Sequence, residues 1–144
     1  MEEISPERAR EYGVSASHNI MENGELRYRL VAADGSAYVR VEASEDGGWQ
    51  NSHYHKAVLE TYIVQKEWAA FVERVDGDVL WQIMKPGDVY TTRREVSHNV
   101  YLPARAVIHV VKHGGTDLEG DWHGDSTLDS ETKPLSQEEI LLNQ

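Results

Sequence analysis

Cysteine is missing from all 144 residues, which rules out disulfides, thiolate metal sites and a cysteine nucleophile. Basic residues are scarce: 14 Lys and Arg stand against 25 Asp and Glu, for a formal net charge of -11. That balance excludes the basic surface that nucleic acid or an anionic membrane demands, so neither is expected as a partner. No stretch approaches the roughly 18 consecutive apolar residues of a membrane-spanning helix. The opening residues, Met1 to Pro6, are acidic and polar rather than apolar, and the expectation is a cytoplasmic protein. Nucleophile-elbow, phosphate-loop and dinucleotide-binding glycine motifs are absent too. The length suits one domain with one core.

Histidine and glutamate supply what is present. His53 and His55 flank Tyr54, Glu60 follows five residues after His55, and His98 comes later. In an extended segment, residues i and i+2 project from one face, so both imidazoles can reach one ion. A carboxylate and a third imidazole can complete the shell. Nitrogen and oxygen donors suit a first-row divalent ion and differ from a cysteine-type structural zinc site. One glutamate against a divalent ion leaves net positive charge, which favours an anionic or enolate-like ligand. The odd step from His55 to Glu60 would point the carboxylate away from the histidines on one unbroken strand. A turn or bulge within residues 56–59 is therefore required, although that segment holds neither glycine nor proline.

Ser5 as N-cap, Pro6 at the first helical position and Gly13 as stop predict a short helix over Pro6–Tyr12. It is too short to persist alone, so it is expected to dock on the domain. From Glu25 the pattern alternates: Leu26, Tyr28 and Leu30 share one face, with Arg27 and Arg29 on the other. Ala37, Val39 and Val41 alternate with Tyr38, Arg40 and Glu42, and Arg40 is read as facing water rather than a substrate carboxylate. Residues 60–75 divide into two strands at Gln65-Lys66-Glu67. Asp76-Gly77 predicts a tight surface hairpin to a strand over Val79–Met84, and Lys85-Pro86-Gly87-Asp88 the next turn. Further strands are expected over Val89–Thr92, His98–Leu102 and Arg105–Lys112. Short strands separated by such turns mean an all-β barrel or sandwich, with residues 1–24 expected as the helix and lead-in, 25–113 as the barrel, and 114–144 as an acidic tail. The tail is read as solvated, lying over the barrel, with a helix over Gln137–Leu142 set by the capping-box pair Ser136 and Glu139. If the tail acts as a lid, Trp122 is its anchor.

The stretch from Gly47 to His98 resembles the two motifs of the cupin superfamily. Gly47, His53, His55 and Glu60 match the first in spacing, with Glu67 where its closing glycine is expected. Gly87 and His98 keep the second, with Arg93, Glu95 and Leu102 in place of its proline, glycine and asparagine. The resemblance implies an all-β fold: a single jelly-roll type antiparallel β-barrel with short N- and C-terminal helices. In such barrels a short turn between neighbouring strands brings the glutamate to the histidines. The resemblance also implies His53, His55, Glu60 and His98 as ligands of one divalent transition metal (iron, manganese, nickel or zinc), and a homodimer.

Four protein donors leave two positions of an octahedral ion for substrate oxygens, water or dioxygen. The expectation is a metal-dependent enzyme acting on a small organic molecule, taken first as a dioxygenase. Isomerase, lyase and decarboxylase chemistry occur on similar barrels. The other reading is a non-catalytic metal-containing cupin that binds or senses a small polar ligand such as a sugar derivative. Tyr62 shares the strand face of Glu60 and is the first catalytic candidate, against an ordinary core aromatic. His109, in the apolar run Ala106–Val111, is the second, though parity leaves its face open. Trp49 and Gln50 are placed at the barrel rim. His18, His113 and His123 have no second ligand set around them.

Overall fold

Strand alternation punctuated by glycine turns produces two antiparallel sheets facing each other. The computed structural model describes residues 1–115 and 120–142, so part of the acidic tail, 116–119 and 143–144, lies outside the described residues. The first sheet contains β1 (Val14–Ile20), β2 (Leu26–Ala32), β3 (Ala37–Glu42), β6 (Leu59–Lys66), β9 (Val89–Thr91) and β11 (Val107–His113). Its order is β1-β2-β3-β11-β6-β9. The second contains β4 (Gly48–Trp49), β5 (His53–Tyr54), β7 (Ala69–Val75), β8 (Asp78–Met84), β10 (His98–Leu102) and β12 (His123–Gly124). Its order is β12-β5-β10-β7-β8, with β4 also paired to β10. Among the described residues, the two sheets are not hydrogen-bonded into a closed cylinder. Val39, Val41, Val64, Phe71, Met84, Val100, Leu102 and Ile108 fill the space between them.

The predicted turns are where the chain reverses. Asp76 and Gly77 both take positive φ, 51° and 85°, as a tight hairpin between right-twisted strands requires. Gly87 does so at 92° in the next turn, where the Asp88 carboxylate accepts the Lys85 N–H at 2.8 Å. Beyond the expected strands, β1 forms within the lead-in, pairing along its whole length with β2.

Two expectations about the ends of the chain are corrected. Helix α1 (Pro6–Glu11) forms under its Ser5 cap but buries no residue. Local contacts hold it instead of docking: an Arg8–Glu11 ion pair, and the Arg8 guanidinium 4.9 Å from the Tyr12 ring. The tail, read as solvated, is built into the fold. It carries two helices, α2 (Ser126–Thr132) and α3 (Gln137–Leu142), whose Leu128 and Ile140 are fully buried against the outer face of the second sheet. The Ser136–Glu139 capping box forms in both directions, at 2.8 and 3.2 Å. Trp49, expected at the rim, packs in this outer layer against Trp81 and Tyr101, and its indole N–H donates to the Leu135 carbonyl at 3.0 Å. No helix among the described residues is long and apolar enough to cross a membrane.

Candidate metal centre

Three strands deliver the donors. β5 presents His53 directly opposite His98 of β10, and His55 follows as β5 ends. The chain then turns through residues 56–58 and re-enters as β6, which carries Glu60 into the other sheet. This turn removes the parity conflict between His55 and Glu60. It has no glycine because an outside group stabilises it. The Asp121 carboxylate accepts the backbone N–H groups of Lys56, Ala57 and Val58 at 2.8, 2.9 and 2.9 Å. The Arg94 guanidinium donates to the Ala57 carbonyl at 2.9 Å, and the Glu95 N–H to the His55 carbonyl at 2.7 Å.

The four donors are all buried, and their nearest ligand atoms lie within 4.8 Å of one another. Glu60 Oε1 is the centre of the group, 2.6 Å from His55 Nε2, 3.3 Å from His53 Nε2 and 3.4 Å from His98 Nε2. The other ring nitrogens are already committed. His53 Nδ1 donates to the Asn51 carbonyl at 2.8 Å, and His55 Nδ1 donates to the Asp121 carbonyl. With those protons placed, the Nε2 lone pairs converge on a carboxylate oxygen, an arrangement of acceptors that calls for a cation. Among the described residues, His98 Nε2 is buried without a hydrogen-bond partner. An orphaned imidazole nitrogen in a nitrogen and oxygen donor set fits one divalent metal ion.

Electrostatics agrees with this arrangement. Burial pushes the Glu60 carboxyl up, but the close approach of the His53, His55 and His98 rings outweighs it and holds Glu60 well below its ordinary value. Burial lowers His53, with the Glu60 hydrogen bond only partly offsetting it. His55 also feels burial, yet its shorter contact with Glu60 raises it overall. Metal and protons thus compete for the same cluster.

A cavity of about 180 Å³ opens on the group. Tyr62 lines it beside Glu60, as expected, packed edge-on to Phe71 at 5.1 Å. Trp122 lines it too, stacked on the His53 ring at 5.2 Å, where a lid anchor would sit. Gln50, expected at the rim, is a buried residue of the cavity lining.

His109 is not brought to the site. It points to the outer face of the first sheet, between the Tyr38 hydroxyl at 2.6 Å and the Gln65 side chain. Its neighbours Ile108 and Val110 take the inward positions. Arg40 is likewise on the outer face, paired with Glu42 at 3.0 Å.

Arg27 and Arg29 are the opposite case. Tyr28 and Leu30 are exposed, while both arginines line the cavity. Their cross-strand partners Val41 and Val39 are core residues, which is the signal that decides the face, but only once the β2–β3 register is known. Asp121 gave no sequence signal at all, being one of many acids in the tail.

No family model and no curated protein matches this chain in sequence. Solved structures do match in shape. The oxalate decarboxylase of Bacillus subtilis, studied for its Mn(II) centres, superposes with a TM-score of 0.63 at 15% identity over 88% of this chain. The match spans only 37% of that enzyme's length. A recombinant oxalate oxidase in complex with glycolate gives 0.56 at 16% identity, over 72% of this chain and 57% of the other. KdgF from Halomonas sp. gives 0.54 at 17% identity, over 67% and 84%. These likenesses are of fold, and all three proteins are cupins. With its two facing antiparallel sheets and its His-His-Glu-His group, the chain has the cupin fold with a site for one divalent metal ion.

Proposed function

We propose that this protein is a metal-dependent enzyme acting on a small organic molecule that approaches the metal through an oxygen atom. The observation that carries this reading is the buried convergence of His53, His55, His98 and Glu60, with His53 and Glu60 on the wall of a cavity. The similar structures lend support, since an oxalate decarboxylase with Mn(II) centres and an oxalate oxidase holding glycolate both concern small organic acids.

A divalent ion held by these four residues supplies Lewis acidity to a substrate oxygen. The chain does the rest. The Asn51 and Asp121 carbonyls fix the histidine tautomers, so His53 and His55 present Nε2 inward. Trp122 covers one side of His53 and limits water there. The Tyr62 phenol is raised well above its ordinary value by burial and by the nearby Glu60 charge. It therefore stays protonated at neutral pH and acts as a hydrogen-bond or proton donor to bound substrate, not as a base.

Dioxygenase chemistry is the first reading of the reaction. Decarboxylation is the second, and the likeness to oxalate decarboxylase favours it. Protein loaded with iron(II) or manganese(II) and screened against small organic acids separates them. Dioxygen uptake supports the first, and carbon dioxide release without uptake supports the second. Saturable binding without turnover would instead mean a non-catalytic ligand-binding cupin.

We also infer a homodimer. The outer face of β1 and β2 sets Val14, Ala16 and Ile20 in register with Ala32, Leu30 and Leu26, and most of this apolar surface is exposed.

A further inference from the structure

The charge of the cavity runs against that of the chain. Although the protein carries a net charge of -11, three cations line the cavity: Arg27, Arg29 and Lys112. Arg27 is neutralised by the buried Glu25 carboxylate, 3.0 Å from its Nη2. Arg29 has only neutral partners, the Asn19 side-chain oxygen at 2.6 Å and the Met21 sulfur at 3.7 Å. Among the described residues, neither Arg29 nor Lys112 has a carboxylate within ion-pair distance. Half-buried cations without counter-ions are costly, and an acidic chain offers ample carboxylates to pair them. Among the described residues, that isolation is a feature of the cavity.

Strand register places them relative to the donors. Lys112 is the cross-strand partner of Glu60 and lines the same cavity, at its metal end. Arg29 lies in the inward row Arg29, Val39, Val110, Tyr62. Three strand spacings, roughly 14 Å at the Cα level, separate the ends of that row, and the long arginine side chain reaches back across part of it. Positive charge thus extends from the metal group along the cavity wall. Glu60 leaves a divalent ion with one positive charge in excess, and Arg29 and Lys112 add two more. Burial and the neighbouring Arg27 charge also lower the Arg29 pKa, a cost that a bound anion relieves.

We propose that the ligand is a small organic dianion, in the simplest case a dicarboxylate. One acid group sits at the metal end, on the side of Lys112, and the other is held by Arg29. This rests on the metal-enzyme reading and narrows its substrate class. The cavity of about 180 Å³ holds roughly six waters' worth of volume at ~30 Å³ each, so the carbon chain is short.

Calorimetric titration of the manganese-loaded protein with malonate, succinate and acetate tests it, using R29Q, K112Q, the double variant, and R40Q as an outer-face control. Malonate or succinate should bind at least about tenfold more tightly than acetate, the return expected from charge-assisted bonds. R29Q and K112Q should each lose about that factor for the dicarboxylates. R29Q should leave acetate binding and metal content unchanged, and R40Q should change nothing. Equal binding of acetate and dicarboxylates by the wild type, or dicarboxylate affinity retained in the double variant, overturns the proposal. If the wild type takes up no manganese, the metal-enzyme reading fails, and the cations are then judged on the metal-free protein. There, malonate should raise the melting temperature of the wild type but not of the double variant, and an equal rise in both overturns the proposal.

Discussion

Three backbone N–H groups in the turn between His55 and Glu60 converge on the Asp121 carboxylate, and the Asp121 carbonyl accepts the His55 ring proton. One residue of the tail therefore sets both the turn that delivers Glu60 and the orientation of a donor. Asp121→Asn keeps the size but cannot accept all three N–H groups with its one remaining oxygen. It should cost about 2 kcal/mol in denaturant unfolding, since at least one buried donor loses its partner. Burial pushes the Asp121 carboxyl up, but the three N–H groups outweigh it and hold it at about 2, below its ordinary 3.8. Because the folded-state value is the lower one, this stabilisation is complete above pH ~4 and is lost as pH falls toward ~2. Denaturation midpoints measured against pH should show a shallower acid limb in Asp121→Asn. The four donors themselves were legible in sequence because their spacing is local on each strand. Asp121 was not, because it acts across 66 residues on backbone atoms, which leave no pattern in side-chain identity. His109 shows the reverse limit. Its residue type suited a site, but only the packing of Ile108 and Val110 decides that it faces outward.

Each element has its own conformational demands. Gly47 takes φ 71°, and a Cβ there would lie 2.6 Å from the Leu102 carbonyl oxygen and 2.9 Å from the Ala104 nitrogen. Gly47→Ala should therefore cost more than about 2 kcal/mol, read as a drop in the denaturation midpoint. Glu67 and Glu95, where the cupin motifs carry glycine, adopt that left-handed conformation anyway, at φ 63° and 62°. Relief of left-handed strain should slightly exceed the added chain entropy of glycine, so Glu67→Gly should stabilise by up to about 1 kcal/mol. Hairpins and caps were readable because turn chemistry is short-range. The facing of β2 was not: alternation defines two faces without saying which is inside. Tyr28 and Leu30 share the more apolar face, yet the structure turns the arginines inward.

At the scale of the whole molecule, the two sheets are covered unequally. The tail helices bury Leu128 and Ile140 on the outer face of the second sheet, while the first sheet leaves Val14, Ile20, Tyr28 and Leu30 exposed. A second copy on that face predicts a dimer mass by light scattering and a monomer for Leu30→Glu; a wild-type monomer at the same concentration contradicts it. The all-β class was legible from short strands and turns and the jelly roll from the resemblance to the cupin motifs, whereas the integration of the tail was not, since its two apolar anchors are scattered among acids. The most direct test of the account is the metal content of protein purified without added metal, compared across the wild type, His98→Ala, Glu60→Gln and His109→Ala. The donor geometry predicts close to one ion per chain in the wild type and His109→Ala, and strongly reduced occupancy in His98→Ala and Glu60→Gln. Equal metal in all four proteins, or a wild type that takes up none even when metal is supplied, would contradict it.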